Sequence, residues 1–172
     1  MTNDNLGNFF NADDFGDDDE NEDSWKPIKV NGNALFKKSV DILNLTQSLC
    51  DVLPETEQAE NTKRLMLENS MVVATKIKGA ISVDEVYSIV MENAVVIKIN
   101  IVQLKAQLVA CNALHGIEEN YLDVLRNEIA AFKKIFIQWV KCFNKENDVP
   151  DDWYLFNDPS TFGNNNNDAP GK

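Results

Sequence analysis

Leu122, Leu125, Ile129, Phe132, Phe136, Trp139 and Phe143 follow one another at alternating steps of three and four residues. That rhythm returns the side chain to one face of an α-helix every two turns, and an apolar face of this length needs a facing partner. A second seam with the same rhythm lies upstream in Val83, Tyr87, Val90, Ala94, Ile97, Ile101, Leu104, Leu108 and Cys111. Broader stripes occur before it, one through Leu35, Phe36, Val40, Ile42, Leu43, Leu49 and Leu53, another through Met66, Leu67, Met71, Val73, Ala74 and Ile77. Four helices are expected from these four patterns.

Their limits follow from turn and cap chemistry. Asn31-Gly32-Asn33 reads as a turn with Asn33 as N-cap of the first helix, which Pro54 closes. The acids from Glu55 to Glu60 suit the positive end of the second helix, which Gly79 ends or bends, with Lys76 and Lys78 at its negative end. Ser82 with Glu85 three residues on reads as a capping box opening a third helix from about Ser82 to Leu114. Gly116 breaks it, and a fourth helix is expected from about Glu118 to Asn144. Short connections between long helices favour antiparallel neighbours. The fold expected is all-α, an antiparallel up-down-up-down four-helix bundle over residues 31–146. Phe136→Ala, in mid-seam, is expected to cost about 3–5 kcal/mol.

Charge changes the picture at the ends. The chain of 172 residues carries a net charge of −12, yet residues 1–25 hold nine acids and no Lys or Arg, leaving 19 acids against 16 bases elsewhere. The acidity belongs to a tail and the helical part is nearly balanced. Residues 1–30 show no lasting period and are expected to be a disordered acidic tail. Residues 147–172 form a C-terminal extension, an aromatic cluster followed by the Asn-rich run 164–167, which is expected to be disordered.

The start of the chain is polar and acidic, unlike a secretory signal, and no run approaches the ~18 consecutive apolar residues of a membrane span. A cytoplasmic protein without a membrane partner is expected. Cys50, Cys111 and Cys142 are widely spaced, form no CxxC pair, and read as reduced core residues. Helical di-iron sites use Glu-x-x-His pairs on two helices, whereas this chain has one histidine, His115. It has no Gly-rich phosphate loop, and its inward polar candidates Glu68, Lys76 and Glu92 come with no sign of a cleft. No catalytic, cofactor-binding or metal residues are assigned, and an enzyme is not expected.

Three features remain for function. Val95, Ile99, Val102, Ala106 and Val109 form a second stripe on the third helix, rotated about 100° from its seam. Either that helix is buried on two sides, or the stripe is an oligomer interface, as the seven-residue repeat of Val95, Val102 and Val109 suggests. Asn93 and Asn100, one heptad apart, either bond inside the bundle and fix its register or are solvated at its edge. Phe9, Phe10, Phe15 and Trp25 lie among the acids of the tail, where they either meet a protein partner or are incidental to a solubilising segment. Trp153, Tyr154, Leu155 and Phe156 either cap their own bundle or dock on a partner.

Basic residues occur only in local clusters, Lys37 with Lys38, Lys63 with Arg64, Lys76 with Lys78 and Lys133 with Lys134. A ring of subunits could align them for nucleic acid, but the acidic tails would repel phosphate or compete for the same patch. The leading expectation is a non-enzymatic helical protein acting through self-association and protein–protein contact. The alternative is a nucleic-acid-associated accessory subunit, with a reverse transcriptase or RNA partner, whose basic patches the tail modulates.

Over residues 34–143 the helix order, the segment from Asn69 through Lys76-Ile77-Lys78-Gly79-Ala80, and the run from Tyr87 to Leu108 resemble a known family. It comprises the small bacterial four-helix-bundle proteins encoded in ribosomal RNA intervening sequences, and is itself similar to the accessory subunit of diversity-generating retroelements. Met91 to Val95, Glu128-Ile129 with Phe132, Phe136 to Val140, and Asp151-Asp152-Trp153 followed by Leu155-Phe156-Asn157 resemble uncharacterised proteins of Bacteroidota. The resemblance implies an antiparallel bundle, often a ring-shaped homo-oligomer with a pentamer as the specific expectation, and no established catalytic activity. The retroelement subunit is a basic partner of a reverse transcriptase. This chain departs from it in its near-neutral helical part and acidic tail, and Lys76 to Ala80 replaces the Asn-Ile-Ala-Glu-Gly type of turn common in the wider family.

Overall fold

A computed structural model describes residues 26–146, 148–149 and 152–156. Four helices and no strand occur among the described residues: α1 Pro27–Asp51, α2 Glu57–Ser82, α3 Tyr87–His115 and α4 Glu119–Val140.

The helix starts follow from local chemistry, though not everywhere as the sequence suggests. Pro27 occupies the first turn of α1, where its missing N–H costs nothing. The Asn31-Gly32-Asn33 segment is therefore helical rather than a turn, and the Asn31 amide donates back to the Pro27 carbonyl at 2.8 Å. Helix α1 thus begins inside the stretch expected to be tail, with Ile28 already buried. Thr56 caps α2 by accepting from the Ala59 amide at 3.2 Å, and Glu57 and Glu60 occupy its first turn.

Gly79 does not end α2, which runs three residues further, so Lys76 and Lys78 lie short of its last turn. Ser82 closes that helix instead of opening the next, and its hydroxyl donates to the Lys78 carbonyl. Helix α3 starts at Tyr87 with no cap from its own sequence. The cap comes from beyond α4: the Asp148 carboxylate accepts from the Ser88 amide at 2.9 Å, and Lys145 lies over the Tyr87 ring at 4.8 Å. Gly116 ends α3 in the left-handed region, at φ 66°, with its N–H returned to the Asn112 carbonyl. Helix α4 stops at Val140, short of the expected Asn144.

Contacts fall between opposite ends of successive helices. Lys26 pairs with Glu85, Gly32 faces Ile81, and at the other end the Cys50 thiol meets the Lys63 carbonyl. Thr62 lies 3.1 Å from the His115 ring, and Asn69 donates to Gln107 at 3.2 Å. Helix α2 packs between α1 and α3, while α4 packs on α1 and touches α3 sparsely. Lys38 of α1 reaches Glu128 of α4 at 2.5 Å and Asp41 at 3.2 Å. These acids, Glu128 first, hold the Lys38 ammonium above its ordinary pKa.

The core is the union of the stripes. Leu35, Ile42, Met66, Ile77, Ile97, Leu104, Leu122 and Leu125 are fully buried in it. Along α4 the aromatic residues form a ladder, Phe132 to Phe136 at 6.1 Å, Phe136 to Trp139 at 6.0 Å, and Trp139 edge-on to Phe143 at 4.7 Å. Phe136 and Phe143 are half-buried, so the seam reaches the core less evenly than its spacing suggests. Val83, read as the first residue of the α3 seam, lies outside that helix and is exposed.

Candidate functional site

The α3 seam is buried as its rhythm requires, with Val90, Ala94, Ile97, Ile101, Leu104, Leu108 and Cys111 inside the core. The second stripe of α3 is exposed. Val95, Ile99, Val102 and Val109 are 39, 49, 57 and 62% exposed, and Ala106 is exposed beside them. Burial of α3 on two sides, one of the two expectations for this stripe, is overturned. Helix α4 packs on α1 and only sparsely on α3.

The stripe has coiled-coil register. With Val95, Val102 and Val109 at d positions, Ile99 and Ala106 fall at a, and Ala113 continues the series. Lys98 and Lys105 both fall at g, beside the seam, and are exposed. From Asn93 to Ile117 the chain has no Asp or Glu. Helix α3 is long and apolar enough to cross a membrane by length and composition. Its other face is built into the core with α2, so the apolar residues serve two separate surfaces.

Polar groups do not converge on this face. The Asn93 and Asn100 amides turn back to the Ile89 and Val96 carbonyls of their own helix, each at 2.9 Å, and fix no register across the bundle. Asn69 with Gln107 and Thr62 with His115 make the cross-helix polar contacts instead. Glu68 and Lys76 are exposed, with Glu68 paired to Arg64, so they form no inward cluster with Glu92. No three His, Cys, Asp or Glu residues come together as metal ligands among the described residues.

Two of the basic clusters are partly neutralised by ion pairs within the chain, and a lysine of a third lies on an aromatic ring. Lys38 pairs with Glu128 and Asp41, Lys63 with Glu60, Arg64 with Glu68, and Lys78 lies over the Phe36 ring at 5.8 Å. Cys50 and Cys111 are buried, and desolvation is the first cause that raises both thiols, Cys50 up to about 12. They are inert as nucleophiles at neutral pH.

Phe9, Phe10, Phe15 and Trp25 lie outside the described residues. At the other end Trp153, Tyr154 and Leu155 are 84, 50 and 66% exposed and Phe156 is half-buried. The sequence reading missed Asp148 and Lys145, whose partners on α3 lie 60 and 58 residues away in the chain. No local pattern marks a cap supplied from such a distance. No family model, curated protein or solved structure matches this chain.

Proposed function

We propose that the chain is a non-enzymatic, antiparallel four-helix protein, like the bundle family it resembles, and that it self-associates through the outer face of α3. One observation carries this reading, the exposed a and d series Val95, Ile99, Val102, Ala106 and Val109. An uncovered stripe of this regularity is a cost in water for a single copy, and a second copy offers the same stripe to cover it. Contacts between opposite ends of successive helices support the antiparallel order.

Light scattering coupled to gel filtration tests the reading. The full chain is expected to run as an assembly that Val102→Asp converts to single copies with unchanged helix content. A single copy at every concentration, or an assembly indifferent to Val102→Asp, would overturn it.

A further inference from the structure

Pairing of α3 with a second copy covers the apolar stripe and leaves its charges unmatched. Lys98 and Lys105 stand at g, and Val96, Gln103 and Ala110 at e, so a second α3 would present lysines with other lysines or with uncharged residues. Neither lysine has an acidic partner among the described residues. The surface is apolar along its middle and positive along one edge. It fits an extended segment that carries aromatic residues between acids.

The chain itself contains such a segment. Residues 6–20 hold Leu6, Phe9, Phe10 and Phe15 with Asp13, Asp14, Asp17, Asp18, Asp19 and Glu20, and no base. Its attachment point is favourable. Lys26, the first described residue, bonds Glu85 at 3.2 Å in the turn that leads into α3, so the segment emerges beside the start of that helix. Along α3 the stripe lies between about 12 Å and about 33 Å from Tyr87, at 1.5 Å per residue. Phe15 stands eleven residues before Lys26, a reach of at most about 40 Å, and Phe9 and Phe10 have slack beyond that. Lys98 and Lys105 lie about 17 Å and about 27 Å along α3 from Tyr87, the first within reach of the acids 17–20 and the second within reach of Asp13 and Asp14.

We propose that residues 6–20 lie along the outer face of α3 in the same chain, phenyl rings on the Val95–Val109 stripe and carboxylates on Lys98 and Lys105, and that self-association displaces them. The proposal rests on the reading of α3 as the association surface and adds its competitor. Salt screens the carboxylate–lysine contacts and leaves the apolar pairing intact, so self-association strengthens as ionic strength rises. A contact held by opposite charges between copies would show the reverse.

The test is zero-length carbodiimide crosslinking of the full chain, diluted at low ionic strength until single copies predominate, in an equal mixture of ¹⁴N- and ¹⁵N-labelled protein, with the joined peptides identified by mass. Same-isotope links from acids 13–20 to Lys98 and Lys105 are expected, and a Phe9→Ser, Phe10→Ser, Phe15→Ser variant, which keeps every acid, is expected to lose them. Links spread evenly over exposed lysines such as Lys37 and Lys133 would overturn the proposal. So would links of mixed isotope alone, or links indifferent to the triple variant. Light scattering on the same samples separates this from the association reading. Single copies at every concentration with the α3 links present end self-association and leave the docking standing, whereas concentration-dependent assembly with no such links in the dilute single copies does the opposite.

Discussion

Asp148 caps α3 from outside it: its carboxylate accepts the Ser88 amide hydrogen at 2.9 Å although 60 residues separate the two. The helix start that local sequence leaves bare is completed by the segment following α4, which is thereby tied to the α2–α3 end of the bundle. Asp148→Ala is expected to lower stability by about 1 kcal/mol in urea unfolding, through loss of the cap and of a negative charge at the helix N-terminus. Asp148→Asn keeps an acceptor and should cost less. Equal stability of Asp148→Ala and the unsubstituted chain would show the cap to be idle.

Two glycines within helices should respond to alanine in opposite directions. A Cβ on Gly32 would stand 2.7 Å from the Ile81 side chain and 3.1 Å from the Trp139 indole nitrogen. Both neighbours are packed, and Gly32→Ala is expected to destabilise by about 1–3 kcal/mol despite the better helix propensity of alanine. Gly79 has nothing within 4 Å of its Cβ position, so Gly79→Ala is expected to stabilise by about 0.5–1 kcal/mol. Thermal midpoints that moved in the same direction would refute the contrast.

Phe132 and Phe136 occupy the same seam but not the same depth. Phe132 is 2% exposed, and Phe132→Ala is expected to cost about 3–5 kcal/mol. Phe136 is half-buried, so the value of about 3–5 kcal/mol expected from its seam position is too high, and Phe136→Ala should cost clearly less than Phe132→Ala. Denaturant unfolding of the two variants side by side decides the order.

The buried thiols predict alkaline weakness. Cys50 ionises at about 12 in the folded chain against an ordinary value of 9.0, mainly because burial penalises the thiolate. Above the ordinary value the unfolded state loses this proton and the folded state keeps it, so stability falls as pH rises from 9.0 towards 12. Lys38, raised by Glu128 and then Asp41, adds a loss of the same sign above its ordinary 10.5. Cys50→Ala is expected to flatten the decline that begins first. Thiol reagents at neutral pH are expected to modify half-buried Cys142 well before Cys50 and Cys111, and simultaneous labelling of all three would contradict this.

The helices were legible because their apolar spacing is a property of single segments. The α3 seam from Val90 to Cys111 is buried throughout, and of the α4 seam only Phe136 and Phe143 fall short of full burial. The boundaries were less legible because tertiary contacts decide them. Gly32 resembles a turn residue, yet it is a glycine because Ile81 and Trp139 approach the backbone there, and Glu85 resembles half of a capping box while its partner is Lys26. The candidate site was half visible. Spacing marked the second α3 stripe, but its exposure depends on how the other helices pack around α3, which no single segment encodes.

The packing of α4 on α1 also bears on assembly of the chain. The α1–α2 and α2–α3 pairs each join neighbours through short turns, whereas α4 must close onto α1 across contacts such as Asn31 to Cys142, 111 residues apart. Closing so long a loop is a late and slow event relative to hairpin formation. The helix whose pattern is plainest in the sequence is therefore the one whose place rests most on contacts distant in the chain.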